Sequence, residues 1–116
     1  MIKGIGLDII EIDRVRQLVE KQPKFVKRIL TDDEQKRYES LKSGRRIEYL
    51  AGRFAVKEAF SKAVGTGIGE GLSFLDIETS YDDKGKPCIT KPISEGVHVS
   101  ITHSQAFAAA QVIIEA

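Results

Sequence analysis

The chain opens on a run in which Ile2, Ile5, Leu7, Ile9, Ile10 and Ile12 fall on both sides of an extended backbone, so residues 1–12 are predicted to form a strand buried on both faces. Asp13 is placed to cap a helix that continues to Lys21, with Val15, Leu18 and Val19 as its apolar stripe and Pro23 beyond its end. Phe25, Ile29 and Leu30 recur at helical spacing across a short turn. Thr31-Asp32-Asp33-Glu34 has the order of a capping box and opens a helix to Leu41. Ser43-Gly44 is a break, after which the longest helix is predicted from Arg45 to Val64, stopped by Gly65. The texture then changes. Gly65, Gly67, Gly69 and Gly71 make a loop, and strand-like runs follow at 73–81, 86–90, 97–103 and 107–115, with turns at Asp82-Asp83-Lys84-Gly85 and Ser104-Gln105. Strand, helices, then mainly strands predicts an α+β fold, in one domain over residues 1–116.

Composition narrows the class. With 41% hydrophobic and 30% charged residues the chain is globular rather than disordered. A lone cysteine, Cys88, excludes an internal disulfide framework and fits a reducing compartment. No apolar run approaches the ~20 residues of a membrane span, and the N-terminus lacks a secretory layout, so a cytoplasmic protein without membrane association is expected. The net charge of +1 conceals an asymmetry: residues 1–63 carry 15 Lys/Arg against 10 Asp/Glu, residues 64–116 only 3 against 7. One half therefore suits an anionic partner, whether phosphate, nucleic acid or an acidic protein, although a solvated basic face without a partner has the same signature. Three Tyr, five Phe and no Trp, none interleaved with the basic residues, argue against a nucleic-acid platform.

Two acids stand where acids are costly. On a wheel of the 45–64 segment, Ile47, Leu50, Ala51 and Phe54 form an apolar stripe, and Glu58 falls in its middle. Burying an unpaired carboxylate costs several kcal/mol, so Glu58 calls for a cation, a metal or a raised pKa, and Lys62 four residues on is the nearest local partner. Asp8 sits between Leu7 and Ile9 in the first strand, a poor place for aspartate. If that strand lies beside the long helix, the two acids converge as oxygen donors suited to Mg²⁺ with positions open for water and phosphates. Each acid alone fits an ion-pair or sheet-edge residue equally well. Arg46, Arg53 and Lys57 group on the same wheel roughly a quarter-turn from Glu58, with Arg45 at the helix start. Such a basic stripe beside a metal-binding one suits a polyphosphate, and seen alone it is an ordinary solvated face.

Other features carry less. The glycine loop beginning at Gly65 follows a helix and lacks the lysine-serine/threonine ending of a P-loop, so it either brings backbone to a ligand or turns the chain. His103-Ser104 at a strand end is a weak catalytic pair with no acidic orienter implied. Two histidines and one cysteine give zinc little support. A non-catalytic phosphate- or nucleotide-binding module, with Asp8 and Glu58 as structural ion-pair members, stays open as a rival to an enzyme.

Three blocks together resemble the holo-acyl-carrier-protein synthases, of the short stand-alone type within the 4'-phosphopantetheinyl transferases: Gly4-Ile5-Gly6-Leu7-Asp8-Ile9-Ile10-Glu11-Ile12, Phe54-Ala55-Val56-Lys57-Glu58-Ala59-Phe60-Ser61-Lys62-Ala63 running into the glycine loop, and Val97-His98-Val99-Ser100-Ile101-Thr102-His103-Ser104 with Ala109-Ala110-Gln111-Val112. The resemblance spans almost the entire chain. It implies transfer of 4'-phosphopantetheine from coenzyme A to a serine of apo-acyl carrier protein, releasing 3',5'-ADP, in fatty acid biosynthesis. It further implies Mg²⁺ on the residues matching Asp8 and Glu58, a lysine near the transferring phosphate matching Lys62, and a homotrimer with sites between subunits. On this expectation Glu58, or a water it activates, takes the serine proton, and Lys62 steadies the leaving phosphate. Arg45, Arg46 and Arg53 hold nucleotide phosphates, Gly65 brings backbone to the ligand, and His103 with Ser104 lines the pocket from a neighbouring subunit. Arg14, Lys21, Lys24, Lys27 and Arg28 make a basic helical region expected to steer the acidic carrier protein.

Overall fold

The computed structural model describes residues 1–116. Strand β1 (Ile2–Glu11) passes directly into helix α1 (Ile12–Lys21), followed by α2 (Phe25–Ile29), α3 (Asp32–Ser40) and the 22-residue α4 (Ser43–Val64). The second half is a hairpin of β2 (Glu78–Tyr81) and β3 (Pro87–Lys91), then β4 (Val97–His103) and β5 (Phe107–Glu115). β5 lies between β1 and β4, antiparallel to both, and β2–β3 form a separate two-stranded sheet. This is the α+β order that the pattern predicts.

Helix α4 lies against one face of the three-stranded sheet. Ala55, Val56, Ala59 and Phe60 of the helix and Ile10, Ala108, Ala110, Val112 and Ile114 of the sheet are buried in one core cluster. The helix approaches the first strand so closely that a Cβ at Gly4 or Gly6 would overlap the backbone carbonyl oxygens of Ala63 and Ala59. Glycine is thus required for packing at these two positions, and it brings the strand, with Asp8 two residues beyond Gly6, onto the helix.

The first strand corrects one expectation. Its even residues face α4, but Ile5, Leu7 and Ile9 are 56%, 63% and 65% exposed on the other side of the sheet, with Phe107 of β5 also exposed. A run apolar on both faces therefore covers a core on one face only, and leaves an apolar sheet surface open.

Smaller differences are local. α1 begins at Ile12 with Glu11 at its N-cap and no side-chain cap; Asp13 lies inside the first turn and pairs with Arg16. α4 begins at Ser43, so Ser43-Gly44 is a helix start rather than a break. The 73–81 run is divided, because the Asp76 carboxylate accepts from the Ser73 backbone N–H at 2.8 Å and closes a 3₁₀ turn at Phe74–Asp76 ahead of β2. The capping box at Thr31 forms as predicted, with the Glu34 carboxylate accepting from the Thr31 N–H at 2.9 Å.

Candidate active site

The antiparallel register puts Asp8 on the helix-facing side of β1, and the helical repeat of α4 brings Glu58 and Lys62 to that strand. Lys62 Nζ donates to Asp8 Oδ1 at 3.0 Å and to the Leu7 carbonyl at 3.1 Å. Burial raises the Glu58 pKa above its ordinary value, the Asp8 charge adds to the rise, and Lys62 opposes it. Asp8 and Glu58 line one cavity of about 260 Å³, together with Arg14 and Leu18 of α1 and Phe54 of α4. Arg14 stands on the cavity wall, but Lys62 is taken up by Asp8, and the raised Glu58 pKa marks a carboxyl whose charge is not fully balanced. That imbalance, with room beside it, is what a divalent cation or a transferable proton would relieve. No group of three or more His, Cys, Asp or Glu side chains is gathered for a metal anywhere in the chain. A closed protein cage is therefore absent, whereas Mg²⁺ takes one or two carboxylates with water and substrate phosphates. The donor set fits that ion.

A second cavity, of about 180 Å³, opens on another side of α4 and contains Arg45, Arg53 and His103, three of the predicted site residues, along with Arg37, Glu48 and Tyr81. His103 Nδ1 lies 3.5 Å from Glu48 Oε2. Arg53 is 95% buried by its 5% exposure, its guanidinium stacked on the Tyr49 and Tyr81 rings at 4.4 and 5.1 Å from their centroids. Burial pushes the Tyr49 hydroxyl pKa up to about 12, against the pull of Arg53, so it stays a neutral phenol. The two cavities share no lining residue.

The predicted basic stripe does not exist as a surface. Arg46 donates to the Leu41 and Glu39 carbonyls, each at 2.8 Å, and so closes the C-terminal end of α3. Lys57 is completely buried, with Nζ donating to Glu34 Oε1 at 2.6 Å, the Ile29 carbonyl at 2.7 Å and the Phe74 carbonyl at 3.1 Å. Burial drives its pKa below the ordinary lysine value and Glu34 opposes that drive. A wheel ranks positions only within one helix; α2, α3 and the 3₁₀ turn supply the lid over this face. Of the other candidates, Gly65 ends α4 in the left-handed region at φ 102°. Ser104 is exposed at the β4–β5 turn and accepts from the Phe107 N–H at 3.2 Å, outside the second cavity. Arg14, Lys21, Lys24 and Arg28 are all exposed, and only Arg14 reaches the acid cavity.

Sequence reasoning missed the Glu34–Lys57 pair and the tyrosines beside Arg53. Glu34 showed itself only as a capping residue. The one signal for the rest was the spacing Tyr49, Arg53, Lys57, Ser61, a face interrupted by charge at four-residue intervals.

Comparison with known proteins gives a uniform result. The family model described as the 4'-phosphopantetheinyl transferase superfamily matches residues 4–113. A holo-(acyl-carrier-protein) synthase of Anoxybacillus flavithermus is 60% identical, the match covering 99% of this chain and 97% of that protein. One of Listeria innocua is 59% identical, with 99% of each covered. Among solved structures, the Bacillus anthracis holo-(acyl-carrier-protein) synthase in complex with CoA (3',5'-ADP) aligns with a TM-score of 0.88 at 52% identity, over 98% of this chain and 96% of that one. The Neisseria meningitidis enzyme aligns with a TM-score of 0.90 at 36% identity over 100% of both.

Proposed function

The chain belongs to the 4'-phosphopantetheinyl transferase superfamily as an enzyme of the holo-(acyl-carrier-protein) synthase type, and from that premise we propose that it moves 4'-phosphopantetheine from coenzyme A to a serine of apo-acyl carrier protein in an Mg²⁺-dependent reaction serving fatty acid synthesis. The observation carrying the reading is the juxtaposition of Asp8 and Glu58 in one cavity, with Glu58 holding its proton more tightly than an ordinary carboxyl.

The serine oxygen forms a bond to the phosphorus that carries the pantetheine, and the bond from that phosphorus to the oxygen of 3',5'-ADP breaks. Asp8 and Glu58 would hold Mg²⁺, which supplies charge neutralisation for the pyrophosphate. Glu58, directly or through a water, accepts the serine proton, a task for which a raised carboxyl pKa is suited. Lys62, tethered to Asp8 and half exposed, places an ammonium where the leaving phosphate gains charge. Gly65 ends the same helix, with nothing within 4 Å of where its side chain would be, and lets backbone meet the pantetheine arm.

Arg45, Arg53 and His103 are assigned to the nucleotide end. Their cavity and the acid cavity are separate within one chain, while a single coenzyme A must reach both. This favours a site completed between copies. The open apolar face of Ile5, Leu7, Ile9 and Phe107 offers the surface for it, and a homotrimer, with Ser104 of the exposed turn facing a neighbour's ligand, is the assembly we favour. Arg14 stands beside the acids with α1 leading away from them, so Arg14, Lys21, Lys24 and Arg28 draw the acidic carrier toward the reacting centre. No helix is long and apolar enough to cross a membrane.

The test is to incubate the protein with coenzyme A and an apo-carrier protein, with Mg²⁺ or a chelator, and weigh the carrier. One phosphopantetheine gained only with Mg²⁺ is expected. Asp8→Asn and Glu58→Gln should each lower the rate about 100-fold at limiting Mg²⁺ and weaken metal binding measured directly. Near-normal transfer by either variant at low Mg²⁺ removes the metal assignment.

A further inference from the structure

We propose that Thr79 is a positioning residue for the anionic substrate, presetting the guanidinium of Arg53 through a hydroxyl whose direction is dictated by the buried Glu34–Lys57 pair. The inference rests on the assignment of Arg53 to the nucleotide end and asks what holds that side chain ready.

The hydrogen bonds form a one-way chain. Lys57 has three N–H groups and all three are used, on the Ile29 and Phe74 carbonyls and on Glu34 Oε1. Glu34, 1% exposed, accepts at Oε1 from Lys57 Nζ and from the Thr31 N–H at 2.9 Å. Its Oε2 accepts from both the Thr79 N–H at 2.9 Å and the Thr79 hydroxyl at 2.6 Å. The hydroxyl has one proton, which is now committed to Glu34, so its lone pairs must face the other way. There Arg53 Nε donates to Thr79 Oγ1 at 3.1 Å. A buried charge pair thus reaches Arg53 as the polarity of a single hydroxyl.

The same guanidinium is clamped between the rings of Tyr49 and Tyr81, and its Nη2 is a buried donor without a partner. An orphan donor this deep is costly by itself. Arg53 lines the same cavity as Arg45 and His103, so its guanidinium lies beside the space assigned to the nucleotide. Arginine is otherwise a many-rotamer side chain, and fixing it in advance removes an ordering cost from binding. Thr79, itself 6% exposed, does this without touching the substrate.

The experiment measures 3',5'-ADP binding by calorimetry, and steady-state transfer, for wild type, Thr79→Val, Thr79→Ser and Arg53→Met. Arg53→Met should weaken nucleotide binding at least about tenfold, and Thr79→Val about fivefold, the loss of one charge-assisted hydrogen bond's alignment. Thr79→Ser, which restores the hydroxyl, should bind like wild type. In Thr79→Val the KM for coenzyme A should rise in parallel while kcat and the KM for carrier protein hold, a split that loosened packing alone does not produce. If valine prevents folding, Thr79→Cys, close in volume and a poor acceptor, is read in the same way. Unchanged binding in Thr79→Val, or in Thr79→Cys where it is needed, alongside a weakened Arg53→Met overturns the presetting role. Unchanged binding in Arg53→Met overturns the nucleotide assignment of Arg53 and this inference with it.

Discussion

Lys57 and Glu58 are neighbours in sequence, and the helix turns them into opposite kinds of charge. Lys57 points into a sealed compartment where each of its own donors has an acceptor and its partner Glu34 accepts from Lys57, Thr31 and Thr79. Glu58 points into an open cavity beside Asp8, where the half-exposed Lys62 is paired with Asp8, Arg14 stands on the wall, and burial with the Asp8 charge raises the Glu58 pKa. The sealed cluster is saturated, so further binding has nothing to contribute there. The open cluster is deficient, and its deficiency is the chemical invitation. On the proposed function, saturation marks the group that builds the fold and deficiency marks the group that meets the substrate.

Breaking the sealed cluster should give the largest change. Lys57→Met leaves Glu34 buried without its cation, at a cost of about 3–5 kcal/mol in urea unfolding, and the double change with Glu34→Met should recover part of that loss. Equal stability of the single variant and wild type would contradict the sealed network. Next comes the placement of the open cluster. Gly6→Ala would push β1 away from the Ala59 carbonyl, at about 1–3 kcal/mol by thermal unfolding. It would also separate Asp8 from Glu58, so transfer by the folded fraction should fall as well. Arg14→Glu should act through encounter, raising the KM for carrier protein by about fivefold and leaving that for coenzyme A unchanged; equal effects on both would sever α1 from carrier docking.

The smallest effect concerns pH and sharpens the contrast most directly. The folded Glu58 pKa lies above the ordinary 4.5, so the folded state holds this proton more tightly than the unfolded chain. Stability from that proton is complete below pH 4.5 and is lost as pH rises through the elevated folded value. Glu58→Gln should therefore stabilise the metal-free protein at neutral pH, by less than about 1 kcal/mol given its partial exposure. The gain should shrink toward acid, as read from melting temperatures across a pH series. A variant destabilised at neutral pH would mean that Glu58 is compensated after all.

Local signals were legible where a short stretch carries its own reason. The Thr31–Glu34 capping box, the Gly65 helix stop and the Asp82–Gly85 hairpin turn are each decided by residues within a few positions of one another. Asp8 and Glu58 were legible for a related reason: an acid among apolar residues is conspicuous whatever surrounds it, and the family blocks fall on the same positions. Lys57 and Arg46 were misplaced because a helical wheel records angle and not what lies opposite. The lid of α2, α3 and the Phe74–Asp76 turn is brought over that face by chain segments 17 to 28 residues away.

The helices, most of the strands and the identity of the two conspicuous acids can be read from the linear chain, because they follow from backbone preference, side-chain pattern and the cost of misplaced charge. Packing in three dimensions settles which face of β1 is covered, that Arg53 is stacked on two tyrosines while Arg46 closes a helix end, and that Lys57 is sealed while Glu58 is open. Those outcomes depend on which distant groups arrive to desolvate a side chain and satisfy its hydrogen bonds, and a linear pattern does not specify that encounter.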